Sequence, residues 1–384
     1  MHVHLMNAQH HKRVLFVQGS SNFGGSKRAL LNLVDALPSA GFESVVACPE
    51  PGWLSEELER RRTPCVFVPF PAWRKLLERP RVGMSIRRHW LPALSLWNFD
   101  VVHSNEFWWG PHALLVGKYL NIPAVVHLRD GHHDLTHARK YHLANADAII
   151  ASCEELREKY RAQPELYRKT HVLYDGHDPR RFQFSGDRAG LRKEFGLDIG
   201  TVAIGNVGRL SERKDQRFLL KVLGELKREG QVPPFKIFFA GEADPDYERA
   251  MRDDIAQLNL QSEVKCLGRV EDMARYLGAM DFMVHTARRE GFSLAVAESL
   301  LAGKAMISTD MEGAREAIPD DQHGLVVPIG DAGAMVAAIK RFLNDPQARA
   351  SVGEHAFRRA NALLTLDVHR DQVSALYRQL IAAR

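Results

Sequence analysis

Apolar residues in this chain come in short, uninterrupted runs, each followed by a polar turn and then by a stretch with helical spacing. The run Arg13–Val17 predicts a buried strand, and residues 18–25 (QGSSNFGG) the loop that leaves it. Ser26 to Leu37 follows with apolar residues at Ala29, Leu30, Leu33, Val34 and Leu37, which predicts a helix with one buried stripe. Further strands are predicted at Val45–Cys48, Cys65–Val68, Val101–Val102, Ala124–His127 and Ala148–Ala151. A second series runs through Thr201–Val207, Lys236–Ala240, Glu263–Leu267, Phe282–His285, Ala305–Ser308 and Gly324–Val327. Continuously apolar strands belong to parallel sheets covered on both faces, and their alternation with helices predicts an α/β fold of two Rossmann-like, doubly wound domains. Between Tyr174 and Gly200 the pattern dissolves into polar, Gly- and Pro-containing sequence that reads as a linker. The expected boundaries are 1–180, 181–366 and a final helical stretch, 367–384, that could pack back on the N-terminal domain. Two such domains facing each other would form a cleft near the carboxyl ends of their strands, where doubly wound sheets bind ligands.

Composition narrows this picture in three ways. A length of 384 residues suits two cores, and no run of about 18 apolar residues suggests a membrane span. The His-rich segment Met1 to Arg13 lacks an apolar signal core, so no secretion signal is expected. Cys48, Cys65, Cys153 and Cys266 are scattered, which fits a reduced, cytoplasmic protein better than a disulfide framework. The net charge of +5 is unevenly placed: residues 1–180 hold 23 Lys and Arg against 18 Asp and Glu, while residues 181–384 are balanced. Within Arg60–Trp90 nine basic residues face one acid, Glu78, with Trp73 and Trp90 interleaved. Basic and aromatic residues together suit peripheral contact with an anionic membrane surface, or an acceptor that carries phosphate; a solvated face accounts for them as well. No nucleic-acid motif accompanies the charge, and no nucleic-acid partner is expected.

Three segments of the second half carry chemistry. Residues 208–215 (GRLSERKD) follow a predicted strand and offer Arg209 and Lys214, a forked and a point-like donor to phosphate. Gly241 lies in a turn after the next strand. Glu290 and Glu298 stand eight residues apart in residues 289–298 (REGFSLAVAE), the first in a turn and the second in an alanine-rich helical run. If all eight steps were helical, the carboxylates would lie roughly 12 Å apart and could hold two hydroxyl-bearing ends of one ligand. A helix start between them would offer free N–H groups to an anion. Singly, each segment reads more simply as solvated surface.

Together and in this order they resemble the retaining glycosyltransferases of the GT-B fold, in particular glycosyltransferase family 4. The resemblance covers roughly residues 13–330. It implies an N-terminal acceptor-binding domain and a C-terminal donor-binding domain. It also implies that Arg209 and Lys214 bind the donor diphosphate, with Gly241 beside them, and that Glu290 contacts the transferred sugar. The backbone at Gly291, Phe292, Ser293 and Leu294 would lie on the phosphates, and Glu298 would accept hydrogen bonds from the ribose. Gly24 and Gly25 match the family's glycine pair, and His127 matches a histidine near the reacting carbon. Departures from the family pattern fall at Ser293, at Glu312-Gly313, at Ser26-Lys27 and at residues 175–178 (DGHD).

The implied reaction moves a sugar, a hexose by this resemblance, from a nucleotide diphosphate sugar, UDP-linked by family frequency, to a glycan, lipid-linked or other cell-envelope acceptor. It needs no cofactor and no metal, the nucleotide sugar being a substrate. The anomeric configuration would be retained through a front-face, oxocarbenium-like state, with Arg209, Lys214, Glu290 and His127 as the catalytic set. Two other classes share the features: a nucleotide-sugar epimerase, and a non-catalytic sugar-nucleotide-binding protein. A histidine cluster, His127, His132, His133, His137 and His142, invites a zinc reading, but Asp134 stands where the zinc-protease motif has glutamate. A polar acceptor cleft lined by histidine, Arg129 and Asp130 fits better, and solvated loop histidines fit all except His127.

Overall fold

The computed structural model describes residues 11–73, 78–131 and 133–384. The chain divides into two compact units, one reaching to Gly176 and joined by Leu366–Arg384, the other spanning His177–Thr365. The first carries a seven-stranded sheet built from β1 (Lys12–Val17), β2 (Phe42–Cys48), β3 (Cys65–Phe67), β4 (Val101–Ser104), β5 (Ala124–Leu128), β6 (Ala148–Ala151) and β7 (Thr170–Val172). Their order is β3-β2-β1-β4-β5-β6-β7, every pair parallel. The second carries β8 (Val202–Val207), β9 (Phe235–Ala240), β10 (Val264–Gly268), β11 (Phe282–His285), β12 (Ala305–Thr309) and β13 (Leu325–Val327), ordered β10-β9-β8-β11-β12-β13 and again parallel. Both are Rossmann-like.

In each sheet the strand order reverses once, between β1 and β4 and between β8 and β11. Loops leaving the carboxyl ends of those strands diverge there, which makes the gap a ligand site in open α/β sheets. Residues 18–24 and 105–109 leave the first switch point; residues 208–215 and 286–293 leave the second.

The strands are continuously apolar because helices cover both faces. Helix Gly25–Ala36 lays Leu30, Leu33 and Val34 on β1 and β2. Helix Leu366–Ala382 adds Val373, Leu376 and Tyr377 to the same core, with Tyr377 edge-on to Phe42 at 5.5 Å. In the second unit, helix Gln216–Glu229 buries Leu219, Leu220, Leu223 and Leu226 against β8 and β9. Among the described residues no helix is long and apolar enough to cross a membrane.

Two expectations differ from this structure. The boundary between the units, Gly176/His177, falls inside the stretch read as a linker, but part of that stretch forms helix Arg188–Glu194, tied down by Arg188 Nε to the Gly278 carbonyl at 3.0 Å and by Arg192 Nη1 to Asp281 at 3.0 Å. Asp281 also accepts from the Ala203 amide at 2.7 Å; burial pushes its carboxyl up, but that amide and the two guanidiniums outweigh it and hold it below the usual range. Strand β7 was absent from the apolar pattern because it is three residues long and begins on Thr170.

Candidate active site

The second unit's switch point brings together residues far apart in sequence. Gly208 and Gly241 close the loops after β8 and β9. A Cβ on Gly241, whose φ is +157°, would stand 2.0 Å from the Gly208 carbonyl oxygen, so only glycine lets the two loops touch. Gly208 has φ +145° and holds the Lys214 stem alongside it. Lys214 then forms an ion pair with Glu290, each side chain about nine-tenths buried (11% and 12% exposed). Arg213 Nη1 reaches the same carboxylate at 3.4 Å. Burial pushes the Glu290 carboxyl up, but the Lys214 ammonium and then Arg213 overcome it and hold the group below its ordinary range. Thr286 Oγ1 donates to the Lys214 carbonyl at 2.9 Å, and the Arg288 amide to the Arg213 carbonyl at 2.9 Å. These bonds pin the loop after β8 to the loop after β11.

The residues between the two glutamates are not all helical. Helix Leu294–Leu301 starts after Ser293, so only the last steps to Glu298 follow helical geometry. The first turn has no side-chain cap, because Ser293 Oγ lies 3.2 Å from His285 Nε2 instead. His285 is buried at the end of β11, and burial followed by the Lys214 charge drives its pKa down to about 3, so it is neutral. The uncapped turn leaves backbone N–H groups facing out of the helix start, an anion-attracting end. Glu298 lies one turn in and is buried. Arg209 does not join the Lys214–Glu290 pair: it is 67% exposed and its Nε donates to Asp244 at 2.8 Å.

In the first unit Gly24 precedes helix Gly25–Ala36, which also lacks a side-chain cap. Glu106, from the loop after β4, accepts from Ser26 Oγ at 2.6 Å and Gln18 Nε2 at 3.0 Å, and Lys27 Nζ lies 3.4 Å away. Asn105 Nδ2 donates to Gln18 Oε1 at 2.6 Å and to the Ser26 carbonyl at 3.0 Å. Arg129 is held by Asn105 and by an ion pair with Asp175, both side chains under a tenth exposed. His127 is fully buried, its ring stacked 5.5 Å from that of His103, which meets the Tyr377 hydroxyl through Nδ1. Burial first, and then the Arg129 charge, keeps His127 neutral.

The described histidines of the cluster have other partners. His133 Nδ1 lies 2.6 Å from the Asp130 carbonyl, while His137 Nδ1 lies 2.8 Å from Asp134 Oδ1 at the start of helix Leu135–Lys140. His132 lies outside the described residues. Among the described residues no three metal-binding side chains cluster. In the basic segment, Arg74 and Lys75 lie outside the described residues, and Trp90 is wholly buried with its indole donating to the Pro69 carbonyl at 2.9 Å. Trp90 thus supplies no aromatic surface.

Several residues of this site carried no sequence signal, since their partners are distant in the chain: Arg213, His285, Asp244 and Glu106. The departures from the family pattern have partners here. Ser293 meets His285, Glu312 Oε2 accepts from the Glu290 amide at 3.4 Å, Ser26 and Lys27 meet Glu106, and Asp175 holds Arg129.

Two family descriptions match the chain in tandem: "Glycosyl transferase 4-like domain" over residues 24–176 and "Glycosyl transferases group 1" over residues 187–359. The alpha-D-kanosaminyltransferase of Streptomyces kanamyceticus is 24% identical over 289 residues, covering 69% of this chain and 73% of its own. A Campylobacter jejuni enzyme, N-acetylgalactosamine-N,N'-diacetylbacillosaminyl-diphospho-undecaprenol 4-alpha-N-acetylgalactosaminyltransferase, is 26% identical over 279 residues, 70% of each chain. Among solved structures, HepE of Anabaena in complex with UDP superposes with a TM-score of 0.81 at 22% identity, covering 96% of this chain and 100% of that one. A glycosyltransferase from Rickettsia africae gives a TM-score of 0.83 at 17% identity, covering 97% and 99%. These two likenesses show the GT-B fold.

Proposed function

We propose that this chain, which belongs to the glycosyltransferases of the GT-B fold and family 4 type, transfers a hexosyl group from a UDP-sugar to a hydroxyl of a glycan or lipid-linked acceptor, with retention and without a metal. The observation that carries the proposal is the buried Lys214–Glu290 pair beside the uncapped start of helix Leu294–Leu301, at the switch point of the second sheet. UDP is favoured because the Anabaena neighbour is a complex with UDP. A lipid-linked acceptor is favoured because the Campylobacter relative's name contains a diphospho-undecaprenol, and this would place the enzyme at the cytoplasmic face of a membrane.

In this reading the donor diphosphate lies across the N–H groups at Phe292, Ser293 and Leu294, with Lys214 within reach of its charge. Arg209, exposed and paired with a partly exposed Asp244, turns onto the phosphates. Charge that grows on the leaving diphosphate meets dipoles and cations already in place, and such preorganised electrostatics account for most of the rate enhancement in many enzymes. Glu290 exchanges part of its bond with Lys214 for hydroxyls of the sugar, and Glu298 accepts from the ribose. Neither acts as nucleophile: the departing phosphate oxygen takes the acceptor's proton on the same face, which accounts for retention. The first unit takes the acceptor, with Gly24 and Gly25 letting it approach the backbone. His127 is a positioning residue that holds the end of β5, from which Arg129 and Asp130 follow.

The test is UDP release from a panel of UDP-sugars, with a membrane lipid extract as the acceptor source. Lys214→Ala is expected to lower turnover about 100-fold, the cost of removing one preorganised charge-stabilising group, and Glu298→Ala to lower it strongly by loosening the ribose. Near-normal release by both folded variants would overturn the reading.

A further inference from the structure

The basic segment of the first unit builds a groove that the donor site does not use. Its volume is about 450 Å³, within the range of small-ligand pockets. One wall is the loop Pro69, Phe70, Pro71 that leaves β3; the other is the helical stretch from Arg79 to Trp90. On that stretch Arg81, Met84, Ser85 and Arg88 face the groove, the i, i+3, i+4, i+7 stripe of one helix side. The backbone positions of Arg81 and Arg88 lie roughly 10 Å apart along the axis, with the exposed Met84 between them. His89 adds a third basic group.

The chemistry of the two walls differs. Pro69 and Pro71 have no N–H to offer, and the Pro69 carbonyl is already taken by Ser85 Oγ at 3.3 Å and Trp90 Nε1 at 2.9 Å. The loop wall is thus apolar: two pyrrolidine rings and Phe70, which is braced against Trp90 at 4.7 Å and Trp109 at 5.4 Å. Opposite it stand Arg81 and Arg88, and among the described residues no acid lines the groove. The turn carrying Arg87 to Trp90 is π-helical, a widened geometry frequent at functional sites. Trp109, against which Phe70 rests, packs so closely on Gly19 that a Cβ there would stand 2.0 Å from its ring. The groove is therefore coupled to the loop leaving β1 at the first switch point.

We propose that this groove binds the phosphate and the first aliphatic units of a lipid-linked acceptor: Arg81 and Arg88 take the phosphate charge, and the Pro-Phe-Pro wall with Met84 takes the chain. The proposal deepens the glycosyltransferase reading and rests on its assignment of the acceptor to the first unit. Coupling through Phe70, Trp109 and Gly19 gives a bound acceptor a route to the residues around Gly24.

Farnesyl diphosphate, used below its aggregation threshold, is the probe, measured by isothermal titration against the full chain. Wild type is expected to bind it at least tenfold more tightly than inorganic pyrophosphate. Arg81→Glu with Arg88→Glu, and separately Met84→Ser, are expected to weaken it tenfold or more while UDP affinity stays unchanged. All three positions are exposed or line open space, so the melting temperature should hold. Equal farnesyl diphosphate affinity in the charge-reversed protein would overturn the proposal, as would pyrophosphate binding as tightly as the farnesyl compound. Loss of sedimentation with phosphatidylglycerol vesicles in the charge-reversed protein, with farnesyl diphosphate binding intact, would assign the cations to a membrane surface and overturn it too. Wild type that binds farnesyl diphosphate but no UDP would leave the groove standing and sink the donor reading.

Discussion

At the scale of single residues, the pairing of Lys214 with Glu290 makes a pH-dependent prediction. The folded pKa of Glu290 lies below its ordinary 4.5, so its contribution to stability is complete above pH 4.5 and is lost as pH falls through the lower folded value. Lys214→Met keeps the stem and removes the charge, leaving a buried carboxylate beside Arg213. The sign then reverses: burial raises the carboxyl pKa, and stability is lost as pH rises through it. The variant is expected to be destabilised by about 3 kcal/mol at pH 7, and by progressively less toward pH 4.5. Thermal melts followed by circular dichroism, compared with wild type at each pH, check this; a pH-independent difference would argue against the pairing. Gly241→Ala is the companion test. Its Cβ has no room beside the Gly208 carbonyl, so the loop carrying Arg209 and Lys214 must move, and UDP affinity should fall at least tenfold. Lys214, Gly241 and Glu290 stood out in the sequence as residues of loops that follow predicted strands, and Glu298 by its spacing from Glu290 in a helical run. Their contacts were not, because Arg213, His285 and Asp244 reach the site through tertiary structure alone.

At the scale of elements, strands buried on both faces announced themselves as apolar runs, and most needed a shift of one residue or none at an end, though Val45–Cys48 began at Phe42 and Val101–Val102 ran on to Ser104. Arg13–Val17 began one residue earlier, as Lys12–Val17. Where burial is partial the signal failed. Helix Arg188–Glu194 is polar and gains its hold through guanidinium bonds to Gly278, Ala279 and Asp281, which no periodicity reveals. Its N-cap, Asp187, whose carboxylate accepts from the Ala189 amide at 2.9 Å, was the available cue. Helix Leu366–Ala382 belongs to the first unit's core, and this can be tested at Tyr377. Tyr377→Phe leaves the buried His103 Nδ1 without its hydroxyl partner, a loss of about 1–3 kcal/mol. All six tryptophans (Trp53, Trp73, Trp90, Trp97, Trp108, Trp109) lie in the first unit, so their fluorescence reports that unit's melting alone. The tryptophan-detected transition should fall by several degrees; an unchanged midpoint would mean the contact carries no stability.

At the scale of the whole molecule, the two units differ in how they should answer to acid. His103, His112, His127, His133 and His369 are all buried in the first unit, and burial is the leading cause holding each of them neutral. In the second unit His285 is likewise buried and held neutral, burial being the leading cause. An unfolded histidine takes a proton near pH 6.5, whereas His112, His133 and His369 do not until about 4, and His103 and His127 are held well below their ordinary value by burial. Unfolding therefore gains about 1.4 kcal/mol per pH unit for each imidazole across that window. The first unit should lose its tryptophan signal at a higher pH than the second loses its helix signal. Coincident transitions would contradict this. The charge excess of the first half was legible from composition, but the burial of its histidines was not: a histidine inside a strand such as β5 reads the same whether it faces core or cleft.

The central claim is that the second unit holds a nucleotide diphosphate through Lys214 and the start of helix Leu294–Leu301. Isothermal titration of UDP into wild type, Lys214→Ala and the isosteric Glu298→Gln tests it most directly. Wild type should bind, and both variants should bind at least tenfold more weakly, with Glu298→Gln still folded as judged by circular dichroism. Absence of UDP binding to wild type, or equal affinity in all three proteins, would contradict it.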